Sequence, residues 1–240
     1  FVATNGNDAN DGLTAGAPFA TIQKALDVVG ALDVSIFDAT IKIADGIYQE
    51  NLVAREFVGA GVCRIEGNIA APANVSIAPA SGVALSLTVP KRFDVRGIKT
   101  SSPDAGTVSA AHGARVTGQD FEIGQAGTWG NGISVESGAV FTVTGPYRIS
   151  GGGWHHVRAA VGGQFKMTAA ATVTIVGPVS FTGSGGFAGA ANCGVVYYYH
   201  ATFANGSYVT GPRYNAQTNG VVFVNYLGAT YLPGTTSGTT

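Results

Sequence analysis

The sequence predicts an all-β chain that winds as a parallel β-solenoid. A pattern returns five times between Val108 and Tyr231: an apolar strand, then Gly or His, a small residue, one variable position and a large apolar residue. Successive Gly or His anchors lie 25, 24, 38 and 28 residues apart, and periods of this size indicate stacked supersecondary units. The five anchors are Gly113, Gly138, Gly162, His200 and Gly228.

The residue types in these copies favour strands over helical repeats. They carry alternating Val, Ile, Phe and Tyr interrupted by Gly, whereas helical repeats need apolar stripes at a 3.6-residue period. Gly makes up 36 of 240 residues, yet 45% of the chain is hydrophobic, so low-complexity disorder is a poor interpretation. We expect an N-terminal turn and capping helix at 1–32, solenoid rungs at 33–232 and a linker or terminal tail at 233–240.

The chain opens with a segment that is typical of turns. Residues 4–12 are rich in Asn, Asp and Gly, and short polar side chains of this kind bond to nearby backbone. Calcium is the alternative ligand-binding interpretation, at Asp8, Asn10 and Asp11, but their spacing is not that of an EF-hand. We therefore expect a turn without a cofactor.

One helix follows this turn. Thr21 suits its N-cap and Gly30 suits its C-terminal end. A short helix with a single apolar stripe needs a surface to cover, and the first rung of a solenoid exposes one. The stripe consists of Ile22, Ala25, Leu26 and Val29.

Two motifs follow in the same part of the chain. They are Asn10-Asp-Gly-Leu-Thr, continued by Pro18-Phe-Ala-Thr-Ile-Gln-Lys-Ala-Leu26, and Ile41-Lys-Ile-Ala-Asp-Gly-Ile-Tyr-Gln-Glu50. This segment resembles the entry of right-handed parallel β-helix proteins of the pectate-lyase-like superfamily, with Asp45 where that family often has Pro. The run from Ile65 to Ile77 is similar to the phage-encoded members, above all tail spikes and tail fibres. The resemblance implies a right-handed β-helix, a homotrimer and a place on the virion surface.

Strand alternation assigns the repeat's side chains to two faces, because successive side chains point in opposite directions. The columns predicted to point inward are Val108, Ile133, Val157, Val195 and Phe223, with Ala110, Val135, Ala159, Tyr197 and Asn225. Those predicted to point outward are Ser109, Ser134, Arg158, Val196 and Val224, with Ala111, Glu136, Ala160, Tyr198 and Tyr226. An outer face so poor in charge favours burial against a neighbouring chain.

The long interval before His200 predicts additional structure. Residues 173–181 have the composition of a strand pair, and residues 183–191 have that of a flexible loop. Cys63 and Cys193 are too few for a disulfide framework, so we expect both to be small buried residues.

Composition narrows the range of functions. Only 11% of residues are charged and the net charge is −1, which does not favour a nucleic-acid or anionic-membrane surface. No stretch approaches the roughly 18 apolar residues of a transmembrane helix. All 14 carboxylates lie within residues 1–136, so any carboxylate chemistry in the second half would need carboxylates from elsewhere.

Three carboxylates are the best candidates for glycan hydrolysis, which usually needs two acids about 5–9.5 Å apart. Asp120 and Glu122 stand two residues apart, so on a strand they would face the same side, and Glu136 lies one rung further on. Carboxylates on a solenoid more often serve only to solvate its face. No Asp cluster with a matched Arg is recognisable after Asp120, which counts against a lyase, and no G-x-S-x-G motif supports a nucleophilic triad.

The most unusual string is Gly151-Gly-Gly-Trp154-His155-His156. Trp129 lies 25 residues before Trp154, at the corresponding turn, and paired tryptophans suit stacking on sugar rings, although trimer packing would also use them. Adjacent His residues on a strand point apart and cannot hold one metal, while His112 and His200 suit turns. The predicted glycan-binding set is Trp129, Trp154, His155, His156, Arg158, Tyr198 and Tyr226.

Three classes of function follow from these observations. The favoured hypothesis is a phage tail-spike or tail-fibre domain that attaches to a host surface glycan. Its partners would be its own copies in a homotrimer, host polysaccharide and other virion proteins, without nucleic acid or membrane insertion. The alternatives are a depolymerase of the same glycans, as hydrolase or lyase, and a purely structural trimeric spacer or capsid decoration.

Overall fold

The computed structural model describes residues 1–199, 201–224 and 226–239, and through these the chain winds in about seven turns of a parallel β-solenoid. The predicted all-β fold with one short helix is therefore confirmed. No helix among the described residues is long and apolar enough to cross a membrane.

The helix is α1 (Ile22–Gly30), and 3₁₀ turns lie at Pro72–Asn74 and Gly206–Tyr208. The strands in chain order are β1 (Ala39–Lys42), β2 (Gly46–Tyr48), β3 (Leu52–Val53), β4 (Val62–Glu66), β5 (Val75–Ile77), β6 (Leu85–Leu87), β7 (Arg92–Arg96), β8 (Lys99–Thr100), β9 (Val108–Ala110), β10 (Arg115–Gln119), β11 (Phe121–Ile123), β12 (Asn131–Val135), β13 (Val140–Val143), β14 (Tyr147–Ile149), β15 (Gly153–Ala160), β16 (Gln164–Met167), β17 (Ala171–Ile175), β18 (Val179–Ala191), β19 (Val195–Tyr198), β20 (Ala201–Ala204), β21 (Val209–Thr210), β22 (Tyr214–Ala216) and β23 (Val221–Phe223).

These strands form three parallel sheets, each of which takes one strand from every complete turn. Sheet A has the order β1-β4-β7-β10-β13-β16-β19-β23, and sheet B has the order β2-β5-β8-β11-β14-β17-β20. Sheet C has the order β3-β6-β9-β12-β15-β18-β21, with β22 also pairing with β18. Inward side chains of all three sheets meet in one hydrophobic core along the solenoid axis.

The N-terminal helix covers the first turn, and two distant carboxylates fix its start. Thr21 is the N-cap and accepts from Lys24 N at 3.2 Å. Glu50 accepts from Ile22 N and Gln23 N at 3.0 and 2.9 Å, and Asp8 accepts from Thr21 N at 3.0 Å. The opening turn and the Glu of the Gly-x-Tyr-x-Glu motif therefore satisfy amide groups that a helix start leaves unpaired.

A backbone signature recurs at the corner between sheets C and A. Two adjacent residues with positive φ mark each of five turns, at 112–113, 137–138, 161–162, 192–193 and 218–219. The second residue is Gly in the first three turns, but Cys193 and Asn219 take its place in the last two. Because these corners lack Gly, the sequence pattern missed them.

The predicted register of the last two repeats is consequently wrong. Ala188 and Tyr214 continue the column that contains Val157, whereas Val195 pairs with Gln164 of sheet A. Gly228 therefore does not occupy the repeat position assigned to it, and the assignment of His200 falls outside the described residues.

Side-chain directions are correct where the register is correct. The members of the two predicted inward columns between residues 108 and 159 are buried. In β19 the directions are reversed: Val196 and Tyr198 are buried, while Val195 and Tyr197 lie on the outer face. A slip of one residue inverts every side chain of a strand, which accounts for this error. Phe223 also lies on the outer face, stacked on Tyr197, and Asn225 is outside the described residues.

Three further expectations need correction. Residues 183–191 belong to β18 and are not a flexible loop, although the register of β18 against β15 shifts between Phe181 and Gly186. Cys63 is buried as expected, but Cys193 is exposed at its corner. Ala111 and Ala160, predicted to point outward, are buried.

Candidate functional site

The two tryptophans of the chain lie side by side at the corner where sheet B leads into sheet C. Trp129 is in the loop before β12, and Trp154 is in β15, the strand paired with β12. Trp154 N donates to Gly130 O at 2.8 Å, which holds the two segments in register. The ring centroids are 4.5 Å apart with a 41° tilt, so the spacing of 25 residues correctly predicted that the rings are neighbours.

This tryptophan pair is open to solvent. Trp129 is 75% exposed, and Trp154 is half-buried. An indole ring that remains this exposed gains little from folding, because its apolar surface stays in contact with water. The pair thus has the form of an aromatic platform that a flat apolar ligand surface can cover.

A cleft of about 240 Å³ adjoins the platform. Its walls include Thr128 and Gly153, the residues immediately before Trp129 and Trp154. The hydroxyl, amide and backbone groups of its lining offer hydrogen bonds next to the aromatic rings. The other lining residues are Gln125, Ser150, Gly151, Gly152, Pro178, Val179, Ser180 and Thr182.

Glycines let the corner loops of successive turns stack closely enough to form this cleft. A Cβ at Gly151 would lie 2.1 Å from Gln125 N, and one at Gly152 would lie 2.1 Å from Ser180 O. Neither distance is compatible with a side chain, so the Gly run before Trp154 is required by backbone packing. The sequence drew attention to this run without indicating the polar residues that it brings together.

An ionic cluster around the buried carboxylate of Glu122 supports one wall of the cleft. Ser150 donates to Glu122 Oε1 at 2.5 Å, and Lys99 Nζ lies 3.1 Å from the same oxygen. Arg148 Nε lies 3.1 Å from Glu122 Oε2. Glu122 is 2% exposed, so its charge is balanced by two cations from neighbouring strands and it fixes the Ser150 hydroxyl.

The two adjacent histidines point to opposite sides of β15, as predicted. His155 lies on the outer side, where its Nδ1 is 2.9 Å from Asn131 Oδ1, and it is only 5% exposed. Burial, with a smaller contribution from Arg158, lowers the pKa of His155 to about 3. His155 is therefore neutral at physiological pH, and its contact with Asn131 links β15, which carries Trp154, to β12.

His156 lies entirely inside the solenoid. Its Nε2 is 2.8 Å from the Tyr147 hydroxyl, and its ring packs 4.9 Å from that of Phe187. Burial lowers the pKa of His156 to about 3. No ligand reaches this ring in the folded chain, so the prediction that it contacts glycan is not supported by its position.

The remaining members of the predicted glycan-binding set are dispersed. Arg158 is ion-paired with Glu136 at 2.7 Å on the outer face of sheet C. Tyr198 is fully buried, because the side chains of β19 point in the directions opposite to those predicted. Tyr226 is 94% exposed in the segment after β23, well separated along the solenoid from the turns that carry the tryptophans.

The three candidate acids do not form one group on a strand face. Asp120 has φ 50° at the corner between β10 and β11, so it does not share the strand alternation of Glu122. Glu122 is held by Lys99 and Arg148, and Glu136 is held by Arg158. Two of the three carboxylates are therefore already engaged as partners of cations.

The opening turn uses its polar groups internally. Asp8 Oδ1 accepts from Ala20 N at 2.9 Å, Asp11 Oδ1 accepts from Leu13 N at 2.9 Å, and Asn10 Nδ2 donates to Pro18 O at 2.8 Å. Within the described part of the chain, no group of three or more His, Cys, Asp or Glu residues is arranged to hold a metal ion.

Comparison with family models, curated proteins and solved structures found no match for this chain.

Proposed function

We propose that this chain is a glycan-binding β-solenoid whose binding site is the Trp129–Trp154 platform with its adjoining cleft. The observation that carries the proposal is the contact of two tryptophans, one of them 75% exposed, at the edge of a polar depression. Sugar rings present an apolar face that stacks on indole and hydroxyl groups that need hydrogen-bond partners. Both requirements are met at this corner.

Attachment is favoured over cleavage by the state of the acids. Glu122 and Glu136 serve ion pairs, and glycoside hydrolysis needs a pair of carboxyl groups free to act on one bond. The similarity of the run from Ile65 to Ile77 to phage-encoded β-helix proteins supports the wider proposal that the chain is a homotrimeric domain on a virion surface, binding host polysaccharide. The alternative of a purely structural trimeric spacer would use the same indole pair for packing between chains, and it predicts that the assembled protein binds no glycan.

The test is binding to an array of bacterial capsular polysaccharides and lipopolysaccharide glycans, followed by calorimetry on the best ligand. Trp129→Ala should weaken binding by about tenfold or more, which corresponds to about 1.4 kcal/mol. Tyr208→Ala is the matched control, since Tyr208 is an exposed aromatic residue outside the platform. Sizing of the glycan after incubation separates attachment from cleavage, and a shortened polymer would overturn the preference for attachment.

A further inference from the structure

The outer face of sheet A carries two neighbouring arginines that form no ion pair with any described residue. Arg92 of β7 and Arg115 of β10 are direct register partners on adjacent strands, and both are exposed. Adjacent strands lie about 4.8 Å apart, so the two like charges stand side by side on the same face and repel each other. Among the described residues, no carboxylate lies within ion-pair distance of either guanidinium.

Three other cations toward the N-terminal end of this sheet are neutralised, unlike this pair. Arg64 and Arg96 both pair with Asp94, and Lys42 pairs with Glu66. Exposed like charges placed side by side cost stability unless an opposite charge joins them. The arrangement therefore suits an anion that bridges the two guanidinium groups.

A shallow groove of about 150 Å³ runs between these arginines and the next rungs. Thr117 and Thr142, successive members of one outward row, contribute hydroxyl groups to it. Arginine forks match the geometry of carboxylate and sulfate groups, and hydroxyl groups complete their hydrogen bonding. The groove is lined by Val62, Arg92, Phe93, Arg115, Val116, Thr117, Val140 and Thr142.

The same outward row leads to aromatic rings further along the solenoid. Lys166 follows Thr142 in register, Tyr197 follows Lys166, and Phe223 follows Tyr197. The Tyr197 and Phe223 rings are parallel within 3°, with centroids 4.8 Å apart. One face thus combines cations near its middle with an aromatic stack near its C-terminal end.

We propose that the outer face of sheet A is a second binding site, which takes an acidic polysaccharide lying along the solenoid axis. Carboxylate or sulfate groups of the polymer bind Arg92 and Arg115, and a sugar ring stacks beside Tyr197 and Phe223. A polysaccharide fits better than nucleic acid, because a face with so few free cations on a chain of net charge −1 cannot neutralise a phosphate backbone. The ligand class rests on the proposed function, whereas the site lies on a sheet that holds neither tryptophan.

Calorimetry with three hexasaccharides tests this site: one from hyaluronan with carboxylates, one from heparin with sulfates, and neutral maltohexaose. At least one acidic oligomer should bind with a Kd below about 1 mM, more weakly as salt rises, and more tightly than maltohexaose. Arg92→Gln with Arg115→Gln should weaken that binding at least tenfold. Arg92→Lys with Arg115→Lys should retain part of it, because the charge remains while the fork is lost.

Two controls separate this site from the tryptophan platform. Arg55→Gln removes an exposed arginine that pairs with Asp27 near the capping helix, and it should leave binding unchanged. Trp129→Ala should also leave it unchanged. The proposal is overturned if neither acidic oligomer binds. It is also overturned if the Arg92→Gln/Arg115→Gln variant binds as tightly as the wild type. If that double variant does not fold, the single variant Arg115→Gln replaces it in this comparison. Loss of acidic-oligomer binding in Trp129→Ala alone would favour the platform and contradict the second site.

Discussion

At the scale of single residues, the left-handed corner positions explain both the successes and the errors of the sequence pattern. Gly113, Gly138 and Gly162 are visible because Gly adopts positive φ without steric cost. Cys193 and Asn219 adopt the same conformation but give no comparable signal, since the first is rare there and the second is common in any turn. The burial of Tyr198 could not be foreseen once this corner was missed.

Val161 should be a strained residue whose replacement stabilises the chain. It has φ 50° and is exposed, and a β-branched side chain in this region is disfavoured by about 1–3 kcal/mol. Val161→Asn should raise the thermal midpoint by about 2–4 °C, as expected for about 1 kcal/mol in a chain of this size. Val176→Asn changes another exposed valine without positive φ and should give no such gain in the same scan.

Acid should destabilise the fold through its buried histidines. Burial lowers the pKa of His156 to about 3, so the folded chain leaves it neutral while the unfolded chain protonates it near its ordinary pKa of about 6.5. The stability from this difference is present above pH 6.5 and is lost as the pH falls from there toward 3. Each such histidine contributes about 1.4 kcal/mol per pH unit within that window.

The variant His156→Phe isolates this effect. Urea unfolding between pH 6.5 and 5 should show a smaller decrease in the free energy of unfolding than in the wild type. The difference in slope should be about 1.4 kcal/mol per pH unit, which corresponds to one proton. An unchanged slope in His156→Phe would mean that His156 is protonated in the folded state.

At the scale of elements, the capping helix was predictable and its anchor was not. Local spacing predicted the N-cap and the apolar stripe of the helix, and the structure confirms both. The N-cap is Thr21, and the stripe consists of Ile22, Ala25, Leu26 and Val29. The partner of the helix start is Glu50, 28 residues from Ile22, and nothing in local spacing indicates that contact. Its position in the Gly-x-Tyr-x-Glu motif was the available signal.

Glu50→Gln should loosen the helix start. The carboxylate accepts from Ile22 N and Gln23 N, and an amide side chain loses both the charge and one acceptor at the positive end of the helix. We expect a loss of about 1–2 kcal/mol, seen as faster amide hydrogen exchange in α1. Glu56→Gln changes an exposed carboxylate shortly after β3, and it should leave the amide hydrogen exchange of α1 unchanged.

At the scale of the whole molecule, the repeat period predicted a parallel solenoid because each turn must bury its inward strands against the next. The tryptophan platform was predictable for the same reason, since residues one period apart become neighbours. The cleft beside it was not, because it depends on loop stacking at Gly151 and Gly152 and on Glu122 holding Ser150. The arginine pair of sheet A likewise emerged only from the strand register.

The most direct test of the glycan-binding proposal is intrinsic fluorescence, because the chain contains only two tryptophans and both lie in the platform. Titration with the best glycan from the array should shift the emission to shorter wavelength and saturate, since stacking removes Trp129 from water. Trp154→Phe should keep a saturable response from Trp129 alone. A glycan that binds the Arg92→Gln/Arg115→Gln variant by calorimetry without changing the emission, or the absence of any glycan that binds, would contradict the assignment of this corner as the binding site.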